Sequence, residues 1–292
     1  MQIIIIFFIS LVWSFVPTLV KYASSSVDFW IITFCRFSIG VVFLLILFLM
    51  QKKKAGLSFF SKWIILGASG KTVNYLFENI ALSIGDAYTG VLSLPLCVVF
   101  VILGSLIFLK EKLGILSWSA VILCFTGIFL VTWNGARLDK LFGSNFLITL
   151  LFIISASGAA LHMISQKILI ESMDSLDMNL SVFLLSSLIM LLPLPFTVKS
   201  FYVPKIISVL SLIGLGAITG ITFYLYANAL KKVSLIAATL ISNSSVLFIL
   251  LWSYIFFNEK ITLFVAIGSV LMCAGIIILN LPKKTINKIE IC

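Results

Sequence analysis

Lys71, Asn74 and Glu78 follow one another at intervals of three and four residues, so on a helix all three project from one face. A cation, an amide and a carboxylate on one stripe can hold a small polar solute, and the carboxylate can also carry a proton. Seven residues separate Lys71 from Glu78, or about 10 Å along a helix axis, too far for a direct ion pair in most rotamers. Each charge therefore needs another partner: protein, water or substrate. A zwitterion with its ammonium at Glu78 and its carboxylate at Lys71 satisfies both. In the alternative reading of Lys71, its long stem snorkels toward the nearer end of the helix.

The neighbourhood of this stripe is apolar, which is what makes the charges informative. A charged side chain at the centre of a bilayer costs about 2.5–3.5 kcal/mol on insertion scales, so such residues are functional candidates by default. Arg36 and His162 complete the set of four. Arg36 reads as a packing or interfacial anchor. His162 and Gln166, four apart, make a second polar face that suits either a hydrogen-bonded structural histidine or a contact to a solute. Trp13 can stack on a cation or simply pack. Asn243, Ser244 and Ser245 can unwind a helix or serve as small packing residues.

The elements that must position these residues follow from composition. The chain has 292 residues, 62% of them hydrophobic and 10% charged, with a mean hydropathy of +1.25. A soluble domain carries about 25% charge, so this chain cannot cover a water-facing surface. Long apolar runs then read as transmembrane helices of about twenty residues, because in lipid the backbone must satisfy its own hydrogen bonds. Ten spans are expected, near 2–21, 29–50, 63–84, 88–109, 114–133, 144–166, 179–198, 206–229, 234–257 and 262–281. The net charge of +10 sits in short loops, as topology signals do, and nucleic acid is not an expected partner. The cysteines show no paired or metal-ligand spacing.

The stretch from Ala81 to Leu130 recurs from Ala229 to Ile278 at a constant offset of 148 residues, with 14 of 50 positions identical. The pair Glu111-Lys112 falls on Glu259-Lys260, and Gly127 on Gly275. Apolar bias does not explain shared Glu, Lys and Gly, so the chain reads as a duplicated unit, 1–135 and 143–283. Five spans per unit is an odd number, so the second unit enters the membrane from the opposite side, the build of many secondary transporters. With the N-terminus inside, 12 basic residues fall in inner loops against 6 in outer loops. Both termini are expected in the cytoplasm, in the cell membrane. The last basic run, Lys283, Lys284 and Lys288, reads as an orientation signal, and the two Glu-Lys pairs as topological or gating contacts.

Trp13-Ser14, Lys21, Arg36-Phe37, Phe77-Glu78-Asn79 and the two copies of Ala-Leu followed by a helix ending in Glu-Lys resemble the EamA repeats of the drug/metabolite transporters. The resemblance implies an all-α polytopic membrane protein, with ten transmembrane helices as two inverted five-helix repeats around a central cavity, and export or exchange of small metabolites, often amino acids. It also implies that the third helix lines the cavity. One departure is Pro95 of the fourth span, which is matched by Asn243 in the ninth.

The repeat offset carries Lys71 to Thr219, Asn74 to Thr222 and Glu78 to Tyr226. Charge on one wall thus faces hydroxyls on the other, and the candidate substrate contacts are Glu78, Lys71, Asn74, Tyr226, Thr222, His162, Trp13 and Asn243. No nucleotide loop, nucleophile elbow or zinc-protease motif occurs, so neither an enzyme nor a cofactor is expected. The expected partners are a small-molecule substrate, the lipid bilayer and a coupling ion such as a proton. The expected function is gradient-driven export of amino acids or related zwitterions. Its rivals are a lipophilic-cation exporter of the same fold and a membrane enzyme or scaffold that moves no solute.

Overall fold

A computed structural model of the chain describes residues 2–51, 56–108, 115–135, 144–197, 203–233 and 235–279. Among them every regular element is helical. They are α1 (Gln2–Trp13), α2 (Val16–Ser24), α3 (Phe29–Gln51), α4 (Lys62–Ile84), a 3-10 turn (Ala87–Leu92), α5 (Ser93–Phe108), α6 (Ile115–Trp133), α7 (Ser144–Leu169), α8 (Ser175–Leu191), α9 (Leu194–Thr197), α10 (Ile206–Ala217), a π-helical turn (Ile218–Thr222), α11 (Phe223–Leu230), α12 (Leu235–Ser242), α13 (Ser245–Phe257) and α14 (Leu263–Leu279). Six segments are long and apolar enough to cross a membrane. Helix α4 has the length but is not among them, because its stripe of Lys71, Asn74, Glu78 and Asn79 makes it the least apolar of the long helices.

Several expected spans are not continuous, and in three of them the interruption falls near the middle. The first breaks at Ser14–Phe15, between α1 and α2. Pro17 supplies the reason: it has no N–H for the Trp13 carbonyl, and its ring crowds that carbonyl. The eighth contains the π-helical turn, at the repeat counterpart of the turn that carries Lys71 and Asn74. The ninth breaks at Asn243–Ser244, although it lacks the proline of the fourth. There the Asn243 amide donates to the Thr239 carbonyl at 2.8 Å, and the Ser244 N–H bonds Ile241 O at 3.1 Å in a tightened turn.

Helices approach most closely where glycines face each other, as expected for bundles without a hydrophobic drive between helices. Helix α4 crosses α7 at Gly70 and Gly158, and a Cβ on Gly70 would stand 2.7 Å from the Gly158 carbonyl oxygen. Helix α6 crosses α14 at Gly127 and Gly268, where a Cβ on Gly268 would stand 2.6 Å from Gly127 O. The first crossing sets the position of the α4 stripe.

At the end of the bundle where α13 finishes, Glu259 ties the two halves together. Its carboxylate accepts from the N–H groups of Ala87 at 2.7 Å and Tyr88 at 2.9 Å, capping the 3-10 turn that leads into α5. Beside it, Lys21 donates to the Gly85 carbonyl. The counterpart pair, Glu111-Lys112, and the basic run Lys283, Lys284 and Lys288 lie outside the described residues. Burial pushes the Glu259 carboxyl above its usual range, against the two backbone donors and Lys21, and Asp86 pushes it the same way as burial. A raised folded-state pKa means that Glu259 contributes most below the ordinary carboxyl range, and that the contribution is lost as pH rises through the folded value. The melting temperature of the native protein minus that of Glu259→Gln is therefore expected to be largest in acid and to shrink toward neutral pH. A difference that grows with pH would contradict this.

Candidate functional site

A cavity opens between the two halves of the chain, with a volume of about 620 Å³ counting its mouth. Its charged wall comes from α3 and α4, as Arg36, Lys71, Asn74, Tyr75 and Glu78, and Ser93 and Cys97 of α5 continue it. The opposite wall comes from the second half, with Met163, Ile218, Phe223, Ser245 and Ile249, while Trp13 and Pro17 close one side from the break in the first span.

Burial and partners define how each group is held. Arg36 is 2% exposed, and its Nη1 donates to Glu78 Oε2 at 2.9 Å and to Asn79 Oδ1 at 2.8 Å. Asn79 in turn donates to Thr33 Oγ1 at 2.8 Å. The second Glu78 oxygen accepts from Ser93 Oγ at 3.2 Å. Arg36 is thus not the packing or interfacial anchor that its place in the second span suggested. It is the counter-ion of Glu78, because a buried carboxylate must be paired.

Lys71 is 3% exposed, so it does not snorkel. Its Nζ donates to Asn74 Oδ1 at 3.0 Å and lies 3.9 Å from the Phe223 ring centroid and 4.2 Å from that of Tyr75. Asn74 is fixed from α7, where Ser155 Oγ accepts from its amide and donates to its backbone carbonyl, both at 2.9 Å. The halves also bond across the cavity. Tyr75 and Thr219 hydroxyls meet at 3.1 Å, and the Trp13 indole N–H donates to Thr222 Oγ1 at 2.7 Å.

Against this geometry stand the comparisons with known proteins. The model of the EamA-like transporter family matches residues 1–133 and again 146–281. The chain belongs to the EamA-like transporter family. It is therefore a multi-pass membrane transporter and not an enzyme. A solved structure described only as "Crystal structure of protein" shares its fold, with a TM-score of 0.71, 17% identity, and coverage of 95% of this chain and 97% of that one. No curated protein sequence matches it.

In this EamA-like transporter four of the eight candidate substrate contacts line the cavity: Trp13, Lys71, Asn74 and Glu78. Thr222 and Tyr226 stand behind Trp13, the first through its hydrogen bond and the second through a ring contact with centroids 5.1 Å apart. His162 lies apart. It borders a separate small pocket with Gly67, Ser165, Gln166, Met178 and Asn179, where its Nδ1 donates to the Gly67 carbonyl at 3.2 Å. Its ring reaches the cavity wall only from behind, 5.6 Å from the Phe223 ring. Asn243 forms the break in the ninth span and does not line the cavity, while Ser245 beyond that break does.

Sequence reasoning counted Arg36 among the intramembrane candidates but read it as an anchor, and it missed Tyr75 and Phe223. Two signals for them were present. Glu78 is the one acid among the four intramembrane ionisable residues, so Arg36 and Lys71 had to compete for it. Tyr75 stands four residues after Lys71 on the same face. Phe223 has no such signal, because its meeting with Lys71 depends on how the halves pack.

Proposed function

We propose that this transporter works by alternating access, driven by a solute or ion gradient, and exports amino acids or related small zwitterionic metabolites. Its ten spans form two inverted units, with both termini in the cytoplasm of the cell that carries it in its plasma membrane. The observation that carries the reading is the composition of the cavity: one buried charged wall from the first unit, and a mainly apolar wall from the second, with the Phe223 ring and the single hydroxyl of Ser245. Charge on one wall only suits a small solute with a polar head and an apolar body. Lipophilic cations are disfavoured, since the cavity carboxylate is already paired with Arg36 and Lys71 adds a further positive charge.

The test is counterflow in proteoliposomes preloaded with unlabelled amino acids. Uptake of labelled amino acid against its gradient is expected, inhibited by other zwitterions and not by lipophilic cations. Absence of flux, or inhibition by the cations alone, would overturn the reading. A pH gradient applied across the same vesicles reports whether a proton is the coupling ion.

A further inference from the structure

Lys71 is the cavity charge that the protein itself leaves unanswered. Among the described residues its ammonium has no carboxylate within ion-pair distance, since Glu78 is engaged by Arg36. One neutral acceptor, Asn74 Oδ1, and two ring faces are what hold it. An amide and aromatic rings stabilise an ammonium less than a charge-assisted bond to a carboxylate does, and taking an unpaired charge out of water is costly. Arg36 Nε is likewise buried without a partner. Both cations border the same ring: Arg36 Cζ lies 3.5 Å and Lys71 Nζ 4.2 Å from the Tyr75 centroid. An anion beside Lys71 therefore sits in the field of both.

Among the described residues the charges lining the cavity are Arg36, Lys71 and Glu78, one more positive than negative. A ligand with a single negative charge balances them. A zwitterion leaves the excess in place, and its ammonium must compete for a carboxylate whose two oxygens already accept from Arg36 and Ser93. Most of the remaining lining, including Trp13, Leu94, Met163 and Ile249, is apolar.

If the cavity is the transport site, as proposed above, we infer that it is built around one carboxylate, anchored on Lys71 and supported by Arg36, of a small organic acid with an apolar body. The ligand's carboxylate is required and its α-ammonium is dispensable. Amino acids are then accepted through their carboxylate, and the corresponding deaminated acids bind at least as well.

Three matched probes separate the contributions: phenylalanine, its decarboxylated amine phenethylamine, and its deaminated acid 3-phenylpropanoate. Binding is measured by calorimetry on the purified full-length protein. The expected order places 3-phenylpropanoate level with or ahead of phenylalanine, and phenethylamine weaker than both by on the order of tenfold or more. Lys71→Met is expected to weaken both carboxylates by roughly 10- to 100-fold and to spare the amine, while Lys71→Arg retains carboxylate binding. Phenethylamine binding as tightly as the acids, failure of both acids to bind, or unchanged carboxylate affinity in Lys71→Met overturns the inference. The order among the three probes on the native protein decides it even if a variant does not fold. Counterflow of solutes that need no carboxylate would sink this assignment and leave the transport reading standing, whereas carboxylate binding without flux would do the reverse.

Discussion

Replacing Arg36 with methionine is expected to lower the stability of the folded bundle by about 3–5 kcal/mol, because Glu78 would be left buried without its counter-ion. The loss exceeds that of an ordinary hydrogen bond, since both Arg36 and Glu78 are largely withdrawn from solvent, with side chains 3% and 12% exposed. Asn79 would also lose the donor that orients it toward Thr33. The check is thermal unfolding of the purified protein in detergent, where a fall on the order of 10 °C is expected. Glu78→Gln alone leaves a buried guanidinium and is also expected to destabilise. The double replacement removes both charges together and should recover most of the loss, which makes the pair a strongly coupled double-mutant cycle. Additive effects, or a variant at position 36 that melts like the native protein, would show that the pair does not hold α3 against α4.

A single methyl group at Gly158 is expected to have the second-largest effect, although glycine to alanine in a helix normally favours the helix. A Cβ there would lie 2.9 Å from the Asn74 backbone nitrogen and nearer still to the Gly70 carbonyl oxygen. Neither is a flexible side-chain end, so α4 and α7 must separate, with a cost of about 1–3 kcal/mol for forced overpacking. The separation falls on the turn that carries Lys71 and Asn74, and it strains both hydrogen bonds between Asn74 and Ser155. Gly158→Ala should therefore lose transport out of proportion to its loss of stability. Ser157→Ala is the control. Its hydroxyl is exposed and bonds only within its own helix, to Ile154 O at 2.7 Å, so a change within about 0.5 kcal/mol is expected. Equal transport by the two variants would refute a positioning role for the crossing.

Helix identity and the polar stripe were legible in the sequence because both are local. Hydropathy over some twenty residues reports whether a segment can sit in lipid. Spacings of three and four residues report a shared face, and Lys71, Asn74 and Glu78 do line one cavity wall. The break in the first span had its signal in Pro17, and the break in the ninth in Asn243 and the serines after it, but neither breaker states whether neighbouring helices will compensate for the lost hydrogen bonds. The π-helical turn at Ile218–Thr222 had no sequence signal beyond its alignment with the Lys71 turn.

By itself the amino-acid sequence determined that the chain is a helical membrane protein made of a doubled unit, because insolubility in water and self-similarity are properties of the chain alone. It also limited the intramembrane charges to Arg36, Lys71, Glu78 and His162. Which of these pair was decided only by tertiary structure. Arg36 and Glu78 are 42 residues apart and meet because α3 and α4 pack side by side, while the packing of α4 on α7 turns Lys71 inward and leaves its charge without an anion. Coulomb attraction acts through space and falls with distance, so the sequence can list the charges but only the packed bundle sets which of them remain open to a ligand.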